Sequence, residues 1–237
     1  MKKKEVQYFV GLDLGQKRSF TAIAVVERSL VLEERRDPIY WTLDWVALGP
    51  PEFAVRHLER VPLGTSYVEV VADVRAMLGS DAMRGRAELF VDATGAGAPV
   101  VDLFRAVESL RPVMTPVVIT NGGPGQESAG KGFRERLVPR QDLVAGLLVM
   151  LEEKNLTIAR GMPDTKVLIE ELVQFGREDG GKRSDMRDDL AMAMALAVWG
   201  ARREDKSKKK MTAKQQQDAL DFLNTLFGVS GDRRTHL

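Results

Sequence analysis

Cysteine is absent from the 237 residues, and histidine nearly so, with only His57 and His236. The first absence removes disulfide staples, thiolate nucleophiles and Cys-built zinc sites, and it is compatible with a reducing compartment. The second makes a Ser-His-Asp triad or a multi-histidine metal cage hard to assemble. A dominant charge is missing too. With 35 basic and 34 acidic side chains the net charge is +1, so nucleic-acid binding would have to come from local patches. No uninterrupted apolar run approaches the roughly 18 residues of a membrane span. The charged start, Met1 to Glu5, passes straight into a strand-like run without a signal-peptide pattern. The expectation is a soluble protein of cytoplasmic type with no membrane partner. Its chemistry must rest on carboxylates, lysines, arginines, hydroxyls or backbone amides.

What is present suits one large domain with a tail: apolar residues make up 44% and charged residues 29%, enough for a packed core. Residues 8–15 and 19–27 read as two strands joined by the short connection Gly15 to Arg18, and 29–35 as a third, antiparallel one. From Pro38 to Pro62 the pattern is irregular. Residues 65–78 predict a helix stopped by Gly79, 87–92 a strand followed by a Gly-rich turn and a helix to about Leu110, and 113–120 another strand. The loop 121–132 carries five glycines. Helices are expected over 139–154 and 165–175, with a short strand at 156–158. A polar turn then leads into a helix over 185–203. This order predicts an α/β fold with a mixed sheet flanked by helices. The expected division is a domain over 1–204 and a basic linker with a helical tail over 205–237.

Three places put aspartate where the surroundings are apolar. Asp13 sits within the strand VGLDLG, Asp92 ends the strand ELFVD, and Asp188 and Asp189 open the helix DDLAMAMALAVW. A lone carboxylate in such surroundings costs several kcal/mol of desolvation unless it is neutralised or bound to a cation. Carboxylates on separate elements, without Cys or His beside them, point to hard divalent ions, Mg²⁺ or Mn²⁺. Two such ions roughly 4 Å apart suit phosphodiester hydrolysis. Each aspartate also has an ordinary alternative. Asp92 can serve its turn and Asp188 or Asp189 the helix N-terminus, whereas Asp13 is the hardest to explain otherwise.

In order, VGLDLG, SFTAIAVV, LFVDATGAGAPVVDLF, VPRQDLVAGLLVMLEE, LTIA, LIEELVQF and RDDLAMAMALAVW resemble the nuclease domain of the large terminase subunits of tailed bacteriophages, over about residues 6 to 202. The resemblance implies an RNase H-like fold and a metal-dependent endonuclease that cuts concatemeric viral DNA during genome packaging, in the host cytoplasm. It implies Asp13, Asp92, Asp188 and Asp189 as catalytic metal ligands, Asp189 first within the pair. Asp185 is either a further ligand, as in related resolvase folds, or a helix N-cap. Double-stranded DNA is the implied partner, together with a packaging ATPase domain, portal or small terminase subunit. Two departures stand out. Arg187 occupies a place where many relatives have His. The chain also begins just before the first nuclease strand, so the expectation is an excised domain or a stand-alone nuclease, with no translocation assigned.

The segment Gly125 to Gly132 fits GxxxxGK but lacks the Ser or Thr that would hold magnesium, and Pro139 interrupts the helix that should follow. A loop guiding DNA with Lys131, Arg134 and Arg136, or a merely solvated loop, fits better. Lys17 and Arg18, just after the first Asp strand, are placed to meet a phosphate near the metals. Two other readings stay open: an actin-like or sugar-kinase-type ATPase fragment, from GLDLGQKRS and DATGAG, and a DNA-binding packaging module that does not cut.

Overall fold

The computed structural model describes residues 1–15, 19–36, 43–95, 97–123, 125–159, 161–175 and 188–203. Lys17, Arg18, Asp185, the polar turn after 175 and the tail from 204 lie outside the described residues. The chain divides into two compact units, Met1–Ala201 and Arg202–Leu237, and the fold concerns the first.

The strands are β1 (Lys2–Asp13), β2 (Ala22–Arg36), β3 (Leu43–Ala47), β4 (Glu52–Arg60), β5 (Ala87–Asp92), β6 (Met114–Thr120), β7 (Ser128–Ala129), β8 (Arg136–Pro139) and β9 (Leu156–Ile158). The helices are α1 (Tyr67–Leu78), α2 (Gly97–Ala106), α3 (Arg140–Glu152), α4 (Thr165–Phe175) and α5 over residues 189–203. The described strands form one mixed sheet in the order β7-β8-β6-β5-β1-β2-β4-β9, with β3 also on β2. Strands β1, β2 and β4 are antiparallel, whereas β5, β6 and β8 continue parallel from β1.

Several expectations change here. Residues 19–35 do not make two strands: β2 runs unbroken for 15 residues, its inner part pairing with β4 and its outer part with β3. The region 38–62, expected to be irregular, supplies β3 and β4, because strand pairing with β2 satisfies its backbone where local pattern offered no cue. Arg136, expected on a loop, and Pro139, expected to open the helix, both belong to β8, and Asp13 is the last residue of its strand, not a middle one.

Period-two alternation sorts the core into two layers. Phe9, Phe90, Val117 and Val138 face α3, α4 and α5 on one side; Val10, Leu12, Leu89 and Val91 face α1 and α2 on the other. Helix α1 starts at a capping box: Ser66 Oγ accepts the Glu69 N–H while Glu69 accepts the Ser66 N–H. Helix α5 is buried along all of residues 189–201, which explains why it is apolar on every side. It lies very close to β1. A Cβ at Gly11 would stand 1.9 Å from the Ala193 carbonyl oxygen, so only glycine permits that approach. None of the described helices is long and apolar enough to cross a membrane.

Candidate functional site

The acidic residues gather at the carboxyl edge of the sheet. Asp13 and Asp92 lie one residue beyond Leu12 and at the end of β5, where Leu12 pairs with Val91 on adjacent parallel strands. Both belong to the face that carries Phe9 and Phe90, the face covered by α5. From the close contact at Gly11, two residues along β1 lead to Asp13, and one turn back along α5 from Ala193 leads to Asp189. That antiparallel crossing brings the helix start over the strand end.

The electrostatics follow from this crowding. Asp13 keeps some solvent contact, yet protein packs around its carboxyl closely enough that desolvation is the first cause holding it well above the usual carboxylate range. Repulsion from Asp92, Asp189, Asp188 and Glu171 adds to it, in that order. Four carboxylates from three further elements therefore act on one. Asp189 is 6% exposed, and the Arg60 guanidinium stands 4.0 Å from its Oδ2. Asp188 precedes the helix; its carbonyl accepts the Met192 N–H at 2.8 Å, while its side chain accepts from Arg140 at 2.6 Å. Asp92 is oriented by the Thr94 N–H, which donates to Oδ1 at 2.7 Å.

Two members of this cluster escape a reading of the sequence. Glu171 on α4 is 5% exposed; its Oε2 accepts the Ala191 N–H at 2.8 Å and its Oε1 accepts from Arg60. Burial raises its carboxyl despite both bonds, with the Asp189 charge acting in the same direction and Arg60 against it. The available signal was Glu171 three residues after the buried Leu168, a charge on an apolar stripe. Arg60 ends β4 and has no comparable mark in the sequence.

The register sets basic groups on either side of the acids. Asp13 pairs with Ala22 and Ala22 with Arg60; Asp92 pairs with Val117 and Val117 with Arg136. Residues paired across a sheet share a face, so Arg60 and Arg136 stand two strands, about 10 Å, on either side of the acidic pair. Lys131 and Arg134 are not in this row. Lys131 is exposed on its loop, and Arg134 reaches the other way, donating to the Pro112 carbonyl before β6.

The GxxxxGK loop is not a phosphate cradle as placed. The amides of Lys131 and Gly132 donate to Glu135 Oε1 at 3.0 and 3.3 Å, and β8 follows where a nucleotide loop would open a helix.

The cluster matches a hard divalent cation in kind, since every donor is a carboxylate oxygen and Asp13 resists ionisation beside its neighbours. As the side chains stand, no three acidic or histidine side chains among the described residues are arranged to hold one ion.

Three antiparallel strands continued by parallel ones across β1, with helices on both faces, make an RNase H-like α/β fold, and the acids lie at its carboxyl edge. Among solved structures, the chain is similar to the human cytomegalovirus terminase nuclease domain, Mn-soaked and inhibitor-bound. The identity is 15% and the TM-score 0.46, over 81% of each chain. It is also similar to the large terminase nuclease domain of bacteriophage SPP1 with bound Mn, at 12% identity and a TM-score of 0.40, over 81% of this chain and 84% of that one. No protein-family model matches the sequence, and no curated protein shows significant similarity to it.

Proposed function

We propose that this chain is a metal-dependent DNA endonuclease that cuts concatemeric viral DNA during genome packaging. The observation that carries the reading is the gathering of Asp13, Asp92, Asp188 and Asp189, from two strands and a helix, within electrostatic reach of one another. Carboxylates held together against their mutual repulsion are stabilised by a cation, and the donor set selects Mg²⁺ or Mn²⁺. Asp13, Asp92 and Asp189 would hold two such ions, with Asp188 or Asp185 as a further ligand. When bound, the ions would supply an activated water and stabilise the leaving oxygen of a phosphodiester.

The chain's own residues do the remaining work. Thr94 fixes the orientation of Asp92, and the buried flank of α5 keeps Asp189 from bulk water. Arg136, on the same face two strands from Asp92, binds a backbone phosphate of the strand being cut. Lys17, Arg18 and Lys131 contribute outer phosphate contacts, whereas Arg134, turned to the Pro112 carbonyl, does not. No base-reading element accompanies them among the described residues, so cleavage is weakly specific in sequence. The domain spans residues 1–204 and the basic tail 205–237. The same reading makes a packaging ATPase domain, portal or small terminase subunit its partner.

Plasmid nicking tests it. The wild-type chain is expected to nick supercoiled DNA with Mg²⁺ or Mn²⁺ and to stop when EDTA is added. Asp13→Asn and Asp189→Asn are each expected to lose cleavage while retaining DNA affinity. Retained nicking by both variants, after controls for contaminating nuclease, rejects the assignment.

A further inference from the structure

Helix α5 has a cap residue of its own in Asp188, but does not use it. An Asp at the position before a helix ordinarily accepts an N–H two or three residues on. Here the Asp188 carboxyl is bonded to Arg140, and the Ala191 N–H that it would have capped donates to Glu171, on a different helix. Both Glu171 oxygens are committed, one to Ala191 and the other to Arg60, so Glu171 is not counted among the ligands proposed above.

Arg60 is itself fixed from several directions. Its backbone N–H donates to Asp164 Oδ2 at 3.1 Å, just before α4, and its guanidinium lies 5.1 Å from the centre of the Phe20 ring. The same guanidinium bonds Glu171 and faces Asp189. The end of β4, the body of α4 and the first turn of α5 are thereby tied through one buried ion pair. A buried carboxylate is costly unless it is paired, so Arg60 is what allows Glu171 to stand there as an acceptor.

The geometry points to Glu171, held by Arg60, as a positioning residue of the acidic site: it caps α5 from outside, which sets Asp189 against the ends of β1 and β5 and releases Asp188 from capping. The inference rests on the nuclease reading and deepens it. Losing a group that orients a metal-binding carboxylate typically costs about 10–100-fold in metal affinity.

The test is Mn²⁺ titration calorimetry on the full chain, well below the melting temperature, with DNA cleavage measured alongside. Glu171→Ala is expected to weaken Mn²⁺ binding by about 10–100-fold. Its kcat should fall while KM for DNA stays unchanged. Glu171→Gln, whose amide oxygen still accepts from Ala191, should lose far less. In an Asp189→Asn background, Glu171→Ala should add little, because the two act through the same carboxylate. If the alanine variant does not fold, Glu171→Met fills the volume without accepting a bond. A lowered melting temperature with unchanged Mn²⁺ affinity overturns the inference, and so does equal loss in the Gln and Ala variants. If Asp189→Asn weakens Mn²⁺ binding and Glu171→Ala does not, only the positioning role falls. Absence of Mn²⁺ binding by the wild type rejects the nuclease reading and this inference together.

Discussion

At the scale of single residues, Asp13 and Glu27 show opposite uses of a buried carboxylate. Burial and four like charges raise Asp13, so its ionised form is the strained one in the folded chain. A raised acid contributes stability below its unfolded value and loses that contribution as pH rises through the folded value. Above the unfolded value the folded chain bears that cost, and Asp13→Asn removes it. The melting temperature of that variant should equal or exceed the wild type's by calorimetry without metal, and the rise that Mn²⁺ gives the wild type should shrink. Glu27 is the reverse case. The Arg56 guanidinium donates to both its oxygens, at 2.8 and 3.0 Å, and that bond is the first cause holding Glu27 below the ordinary range; Lys4 adds to it from 3.7 Å. Its contribution is present above the unfolded value and disappears as pH falls through the folded one. Glu27→Gln should cost about 1–2 kcal/mol near neutral pH, less than a fully buried pair because Arg56 is half exposed. Urea unfolding curves of the two proteins should converge in acid.

At the scale of elements, the contact between β1 and α5 sets the site. Small residues line it: Gly11 on the strand, and Ala193 and Ala197 on the helix, approach backbone to backbone. A methyl group there has no flexible side chain to push aside. Gly11→Ala is expected to cost about 1–3 kcal/mol by overpacking and to abolish cleavage, because any shift that admits the methyl carries Asp189 with it. Denaturant unfolding measures the first effect and plasmid nicking the second; full activity in a stable variant contradicts the geometry. Elements with a strong local signature were legible in the sequence, among them β5, α1, α4 and β9, whose expected and observed limits agree within two residues. Strands β3, β4 and β8 were not, because pairing with β2 and β6, and not their own local pattern, decides them. The site divided the same way. Aspartates in apolar runs marked themselves, whereas Arg60 becomes notable only through the register that sets it in line with Asp13.

At the scale of the whole molecule, 35 basic and 34 acidic side chains leave no long-range field to gather DNA. Affinity then depends on a few phosphate contacts and should fall gently with salt. Replacing Arg136 by Ala should weaken binding alike on unrelated sequences and reduce the slope of log K against log salt by about one, measured by fluorescence anisotropy. An unchanged slope removes Arg136 from the phosphate path.

Glu135 gives the 125–132 loop an internal anion. Any nucleotide arriving there would have to displace a tethered competitor whose local concentration exceeds that of free ligand in solution. Mutating Lys131 to silence an imagined ATP pocket would therefore report the loss of one cation toward DNA phosphate, not of a nucleotide site.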